Sequence, residues 1–164
     1  MNLSSYAVAL LAHSYLRWLV LAAMLVVIAR SAVASRRGSD WATSHSRLQG
    51  ALVNLADLQL TLGVCLYVFW SPLADAFMRA PAATMKEHTL RFFGLEHPTM
   101  MVLAVALLHV SRLRGKKATT SRDQHRVAMR WTLAALLVVC SSIPWPGLRH
   151  GRPLLRTYAP EHER

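Results

Sequence analysis

Residues 6–29 read YAVALLAHSYLRWLVLAAMLVVIA, and this stretch decides the class of protein. Arg17 is its one charge, and Arg30 closes it. A helix crosses a bilayer with about 20 mostly apolar residues, so the stretch is long enough to span. Three further stretches share this character. One runs from about 48 to 70 and contains Asp57, and one from about 90 to 111 carries Glu96 and His97 in its first turns. The last runs from about 127 to 143 and ends at Pro144-Trp145-Pro146, where two prolines remove backbone donors and stop a helix. The expectation is an all-α integral membrane protein, an antiparallel four-helix bundle forming one domain over residues 1–164.

Composition supports this reading. The 164 residues are 54% hydrophobic and only 16% charged, where a soluble domain carries about 25% charge. The chain is too apolar for disorder. Its net charge of +11 is not a nucleic-acid signature, because the basic residues lie between the apolar stretches without interleaved aromatics. Anionic lipid at the cytoplasmic face is the partner these clusters imply.

Loop charge sets the expected orientation. The first loop carries Arg30, Arg36, Arg37 and Arg47 against Asp40. The third carries Arg112, Arg114, Lys116, Lys117, Arg122, Arg126 and Arg130 against Asp123. The second, residues 71–89, has Arg79 and Lys86 against Asp75 and Glu87. Basic loops stay in the cytoplasm, which puts both termini on the other side of a bacterial inner membrane. Arg149, Arg152, Arg156 and Arg164 in the C-terminal tail speak mildly against this, but the loop asymmetry is denser and closer to the helix ends. Trp41 and Trp131 fall at the cytoplasmic boundary and Trp70 and Trp145 at the opposite one, as an interfacial belt. The N-terminus lacks a basic n-region, so the first span is expected to persist. The 72–85 stretch reads as an amphipathic piece at the interface, with Leu73, Phe77 and Met78 toward lipid.

Charges at bilayer depth cost about 2.5–3.5 kcal/mol each on insertion scales and usually find partners. Arg17 lies about 16–18 Å and Asp57 about 20 Å below the non-cytoplasmic surface, so they are expected to pair. That pair either fixes which helices are neighbours or serves as a proton relay or ligand anchor. Asn54, Asp57, Thr61 and Cys65 share one stripe of the second span, which marks its expected inward face. His13 is one turn from Arg17, and His97 enters from the same side. Both lie about 10–12 Å deep. Two histidines at one level on different helices suit the axial ligation of haem; equally, each imidazole satisfies a neighbour by hydrogen bonding. Covalent c-type attachment is excluded by the lack of C-x-x-C-H. Glu96 pairs with Arg91, or Glu96 and Arg91 meet haem propionates or a quinone headgroup. Pro98 disfavours a helical His97, and a helix entering near Leu90 with a local kink is expected. His45, His109 and His125 fall near the cytoplasmic boundary and His88, His150 and His162 at the surface. Cys65 and Cys140 read as small apolar fillers rather than a disulfide. No nucleotide, hydrolase or zinc motif is present.

Short motifs in all four spans carry a resemblance. They are His13-Ser14-Tyr15-Leu16-Arg17-Trp18, Ala56-Asp57-Leu58-Gln59, Arg91-Phe92-Phe93-Gly94-Leu95-Glu96-His97-Pro98 and Ile143-Pro144-Trp145-Pro146. With them the chain resembles a family of small bacterial four-span membrane proteins often labelled cytochrome b-like. The resemblance implies at most non-covalent haem b, with His13 and His97 as the metal ligands.

Three functions follow as expectations. The first is one-electron transfer between a quinone pool and a partner complex, with haem on His13 and His97 and with Arg17 and Glu96 beside it. The second is a cofactor-free accessory subunit of a larger respiratory or photosynthetic membrane complex, packed on other membrane subunits. The third, a proton carrier using Asp57 and Glu96, is disfavoured by the lack of broken central helices.

Overall fold

The computed structural model describes residues 3–155, with side chains from Ser5. Arg156, His162 and Arg164 lie outside the described residues. Among the described residues every regular element is helical. The first helix, α1 (Leu3–Arg37), has 35 residues. At about 1.5 Å per residue it is roughly 52 Å long, so it outreaches a bilayer. It runs through Arg30 to Arg36 and Arg37, whose cations sit favourably at a helix C-terminus. The second, α2 (Thr43–Cys65), continues as a π-turn over Leu66–Trp70.

Ser71 caps the short α3 (Pro72–Arg79): its side chain accepts from the Ala74 N–H, and Pro72 opens the helix. After α4 (Pro81–Thr84) and α5 (His88–Arg91) comes a second π-turn, Phe92–Glu96, which leads into α6 (His97–Lys117). The last helix, α7 (Ser121–Ser141), is capped by Thr120, whose hydroxyl accepts from the Asp123 N–H.

Ser5–Arg37, Thr43–Trp70 and His88–Lys117 are each long and apolar enough to cross a membrane. The fourth long helix, α7, carries Arg122, Asp123, Arg126 and Arg130 in its first half and falls outside that set. The long helices pack in a closed order: α1 on α2 and α7, and α6 on the same two. Thus α1 and α6 face each other across the bundle rather than side by side. Met24, Leu52, Ala104, Leu108, Ala135 and Ile143 fill the centre. Large apolar side chains such as Leu19, Val68 and Phe69 remain mostly exposed, which is what a lipid-facing surface requires.

Pro98 does not break its helix, and the reason is local. Proline has no N–H for the carbonyl four residues earlier, here Gly94. The π-turn shifts the register at that point, and the Tyr67 hydroxyl donates to the Gly94 carbonyl at 2.7 Å. Helical φ and ψ are therefore retained at His97, and the helical segment starts at His88, close to the expected entry near Leu90. Gly94 also admits α3: a Cβ there would collide with the Phe77 ring. Phe77 is accordingly buried, against the expectation that it faces lipid, while Met78 is exposed as expected.

The polar stripe of α2 is a second correction. Asn54 and Thr61 are exposed and Asp57 is half-exposed. The buried face carries Gln49, Gly50, Leu52, Val53 and Ala56 instead. Small residues permit close helix approach, and Thr61 satisfies its own hydroxyl by donating to the Asp57 carbonyl at 2.8 Å. The buried face therefore joins small residues to Leu52 and Val53, and its polar member, Gln49, is satisfied by Ser111.

Candidate functional site

The connections at residues 38–42 and 118–120 mark one end of the molecule, the basic end. Residues 71–87 and 142–155 gather at the opposite end. Most of the residues singled out in the sequence lie toward that opposite end. His13 packs on α2, where the Gln59 amide donates to the His13 carbonyl at 3.0 Å and lies 3.3 Å from Nε2. A Cβ on Gly63 would stand 3.1 Å from His13 Cε1, so the imidazole occupies the space that the glycine leaves.

His97 belongs to a different setting. Its Nδ1 is 2.8 Å from the Ser142 carbonyl just beyond α7. A carbonyl only accepts, so the ring proton sits on Nδ1 and Nε2 carries the lone pair. Phe92 and Phe93 stand around this ring at centroid distances of 5.8 and 6.4 Å. Glu96 is held by Arg91, whose Nε donates to Oε1 at 2.6 Å.

The segment after α7 closes this end. His150 stacks on Phe92 with centroids 3.6 Å apart, and the Arg152 guanidinium lies over the Phe93 ring. Arg17 and Trp18 both donate to the Leu154 carbonyl, at 3.1 and 3.3 Å. Residues 150–154 thus bridge α1 to the π-turn before α6.

His13 and His97 meet different elements, α2 and the end of α7, and are not brought together as a pair by any contact among the described residues. His97 is presented like a ligand, with its ring oriented through Nδ1 and Nε2 left to bind. His13 is engaged on α2 by Gln59. Among the described residues no three His, Cys, Asp or Glu side chains gather as a metal cluster. Cys65 and Cys140 are free thiols and partly buried.

The expected Arg17–Asp57 ion pair is replaced by other contacts. Asp57 Oδ1 lies 2.9 Å from His109 Nε2 on α6, and Arg17 is turned toward Leu154. The face, rather than the level, separates the two groups. Gln59 points at α1, and Asp57, two residues earlier, is about 200° from it around the helix.

At the basic end, Trp41, His45 and His125 form a ring cluster with centroids 4.7–5.5 Å apart. His125 is fully buried, and neither ring nitrogen has a hydrogen-bond partner in the protein. Gln59, His109 and this cluster were not singled out as site residues in the sequence. The signal for Gln59 was an amide in an otherwise apolar span. The other contacts needed helix register.

Comparison with protein-family models, with curated proteins and with solved structures finds no match to this chain. The functional reading rests on the residues.

Proposed function

We propose that this chain is a four-span protein of the bacterial inner membrane, with basic loops inside and both termini outside. Its role is that of an accessory subunit packed laterally on another membrane protein. In this reading α7 is the fourth span, its charged first half lying at the cytoplasmic boundary.

The observation that carries the reading is the Asp57–His109 pair. Asp57 is about 20 Å from either end of the Thr43–Trp70 helix. It and His109 are 44% and 49% exposed on the outer face of α2 and α6. Ionisable groups at that depth normally face protein or a water-filled cavity, because hydrocarbon does not solvate them. A protein neighbour covering this face removes the conflict. The test is extraction at native expression level into lipid nanodiscs, followed by native mass spectrometry. The expected result is one membrane partner in fixed ratio, lost in the Asp57→Leu/His109→Leu double variant, which remains folded. A lone 18.3 kDa species from the wild-type chain overturns the reading.

A second reading is a b-type haem protein passing single electrons between quinone and a partner. The presentation of His97, with Nδ1–H on the Ser142 carbonyl, favours it. It requires His13 to leave Gln59. Oxidised and reduced absorption spectra after haem-replete expression decide it: a Soret band lost in His97→Ala supports haem, and no band removes it.

A further inference from the structure

The basic end holds a groove that neither reading uses. It has a volume of about 440 Å³ and lies between α2 and α6, lined by Ser46, Arg47, Gly50, Asn54 and Arg112 among others. A second hollow of about 410 Å³ adjoins it, sharing Ser46 and Arg112 and adding Lys116 and Gln124.

Arg112 lies across α2 at Gly50. A Cβ on that glycine would stand 2.7 Å from Nη1 and 3.3 Å from Cζ, so the guanidinium rests where any other residue would put a side chain. Below it, Gln49 donates to Ser111 at 3.0 Å, a buried bond that ties α2 to α6. The floor of the groove is therefore defined by packing. The charge above it is not neutralised: Arg47, Arg112 and Lys116 form no ion pair among the described residues. Asp57, the acid along this face, is bonded to His109. Arg112 lines both hollows, Arg47 the first and Lys116 the second, with Ser46, Asn54 and Gln124 as polar neighbours and no acidic lining residue.

The depth is informative. The Thr43–Trp70 helix of 28 residues is about 42 Å long, close to the 40–45 Å of a bilayer with its headgroups. Gly50 is about 10 Å from its start and Arg112 about 8 Å from the end of α6. With about 6 Å of headgroup layer on each side, both backbone positions lie just beneath that layer, and a long arginine side chain reaches from there up to the lipid phosphates. Arginine presents a planar fork of donors that matches phosphate oxygens two at a time, and basic pockets between spanning helices hold lipid headgroups.

We infer that the α2–α6 groove, with Arg112 laid over Gly50 and Arg47 and Lys116 beside it, is a binding site for one phosphate group, supplied by an anionic phospholipid. The site deepens the membrane reading and rests on it. It is distinct from bulk attraction to anionic lipid, because it assigns the ligand to one guanidinium and one glycine.

The test uses the full chain, purified in detergent and probed by native mass spectrometry with phosphatidylglycerol, phosphatidylcholine and inorganic phosphate. One phosphatidylglycerol per chain is expected to survive, with phosphatidylcholine held more weakly. Arg112→Gln should lower retention by about tenfold or more and Arg112→Lys by less. Gly50→Val, which keeps every charge but evicts the guanidinium, should match Arg112→Gln. Arg122→Gln, in the 118–122 region, should retain lipid as the wild type does. Millimolar phosphate that raises the melting temperature only when Arg112 is present, and displaces the lipid, supports the phosphate site with a soluble occupant. The proposal is overturned if Arg112→Gln and Gly50→Val hold phosphatidylglycerol normally, or if Arg122→Gln loses as much. A chain absent from the membrane fraction fails the membrane reading before this assay begins.

Discussion

Asp57 Oδ1 and His109 Nε2 stand 2.9 Å apart, joining the midpoint of α2 to α6 across their outward-facing groove. The pair ties together two helices that also share the Gln49–Ser111 bond nearer the basic end. In detergent, a double-mutant cycle with Asp57→Asn and His109→Gln should show a coupling of about 0.5–1.5 kcal/mol, the range of polar contacts between membrane helices. Zero coupling would mean that the two groups are solvated separately.

Tyr67→Phe removes the side-chain donor that meets the Gly94 carbonyl from a neighbouring element. Leaving such a carbonyl unsatisfied costs about 1–3 kcal/mol. The thermal midpoint of Tyr67→Phe should fall accordingly. A Pro98→Ala companion should recover part of the loss by restoring a backbone donor. An unchanged midpoint in Tyr67→Phe would show that the carbonyl has another partner.

Gly94→Ala places a methyl group into the Phe77 ring. Overpacking of this kind costs about 1–3 kcal/mol. Because α3 meets the rest of the molecule here, proteolytic cleavage in residues 72–85 should rise. Pairing Gly94→Ala with Phe77→Leu should relieve most of the strain, and additive losses in the double variant would contradict the contact.

His125→Phe should stabilise the chain by about 1 kcal/mol, read as a higher melting temperature. The imidazole is fully buried and both nitrogens lack a protein partner, so an apolar ring of similar shape loses no bond and avoids the desolvation cost. Trp41 and His45 keep an aromatic neighbour. A lower melting temperature would indicate that a water or a bound group satisfies the ring.

Acid should loosen the segment after α7. Burial holds the His150 imidazole below its ordinary value of 6.5, with Arg152 and His88 acting in the same direction and Glu96 against it. With the folded value depressed, the undocked segment binds more protons below pH 6.5. Docking is therefore at full strength above that pH and weakens as pH falls toward the folded value. Protection factors, which are exchange rates corrected for the intrinsic pH dependence of amides, should fall at residues 144–155 between pH 7.5 and 5.5. His150→Phe, which keeps the stack on Phe92, should flatten this dependence.

The linear sequence carried the helical class, the long apolar helices and the termination at Pro144-Trp145-Pro146. It also carried the local reason for each, because spanning length and proline chemistry are properties of consecutive residues. It set Asp57 near the middle of its long apolar helix, since rise per residue is constant. Tertiary structure decided which way each side chain faces. Asp57 looks toward α6 and Gln59 toward α1 because two residues turn a helix by about 200°. Which of them is inside depends on where Gly50, Ala56 and Gly63 let neighbours approach. His13 and His97 meet different neighbours because α1 and α6 stand across the bundle, each packed on α2 and α7. Depth is a sum along one chain. Orientation is set by contacts between residues as distant as Arg17 and Leu154, and only packing brings those together.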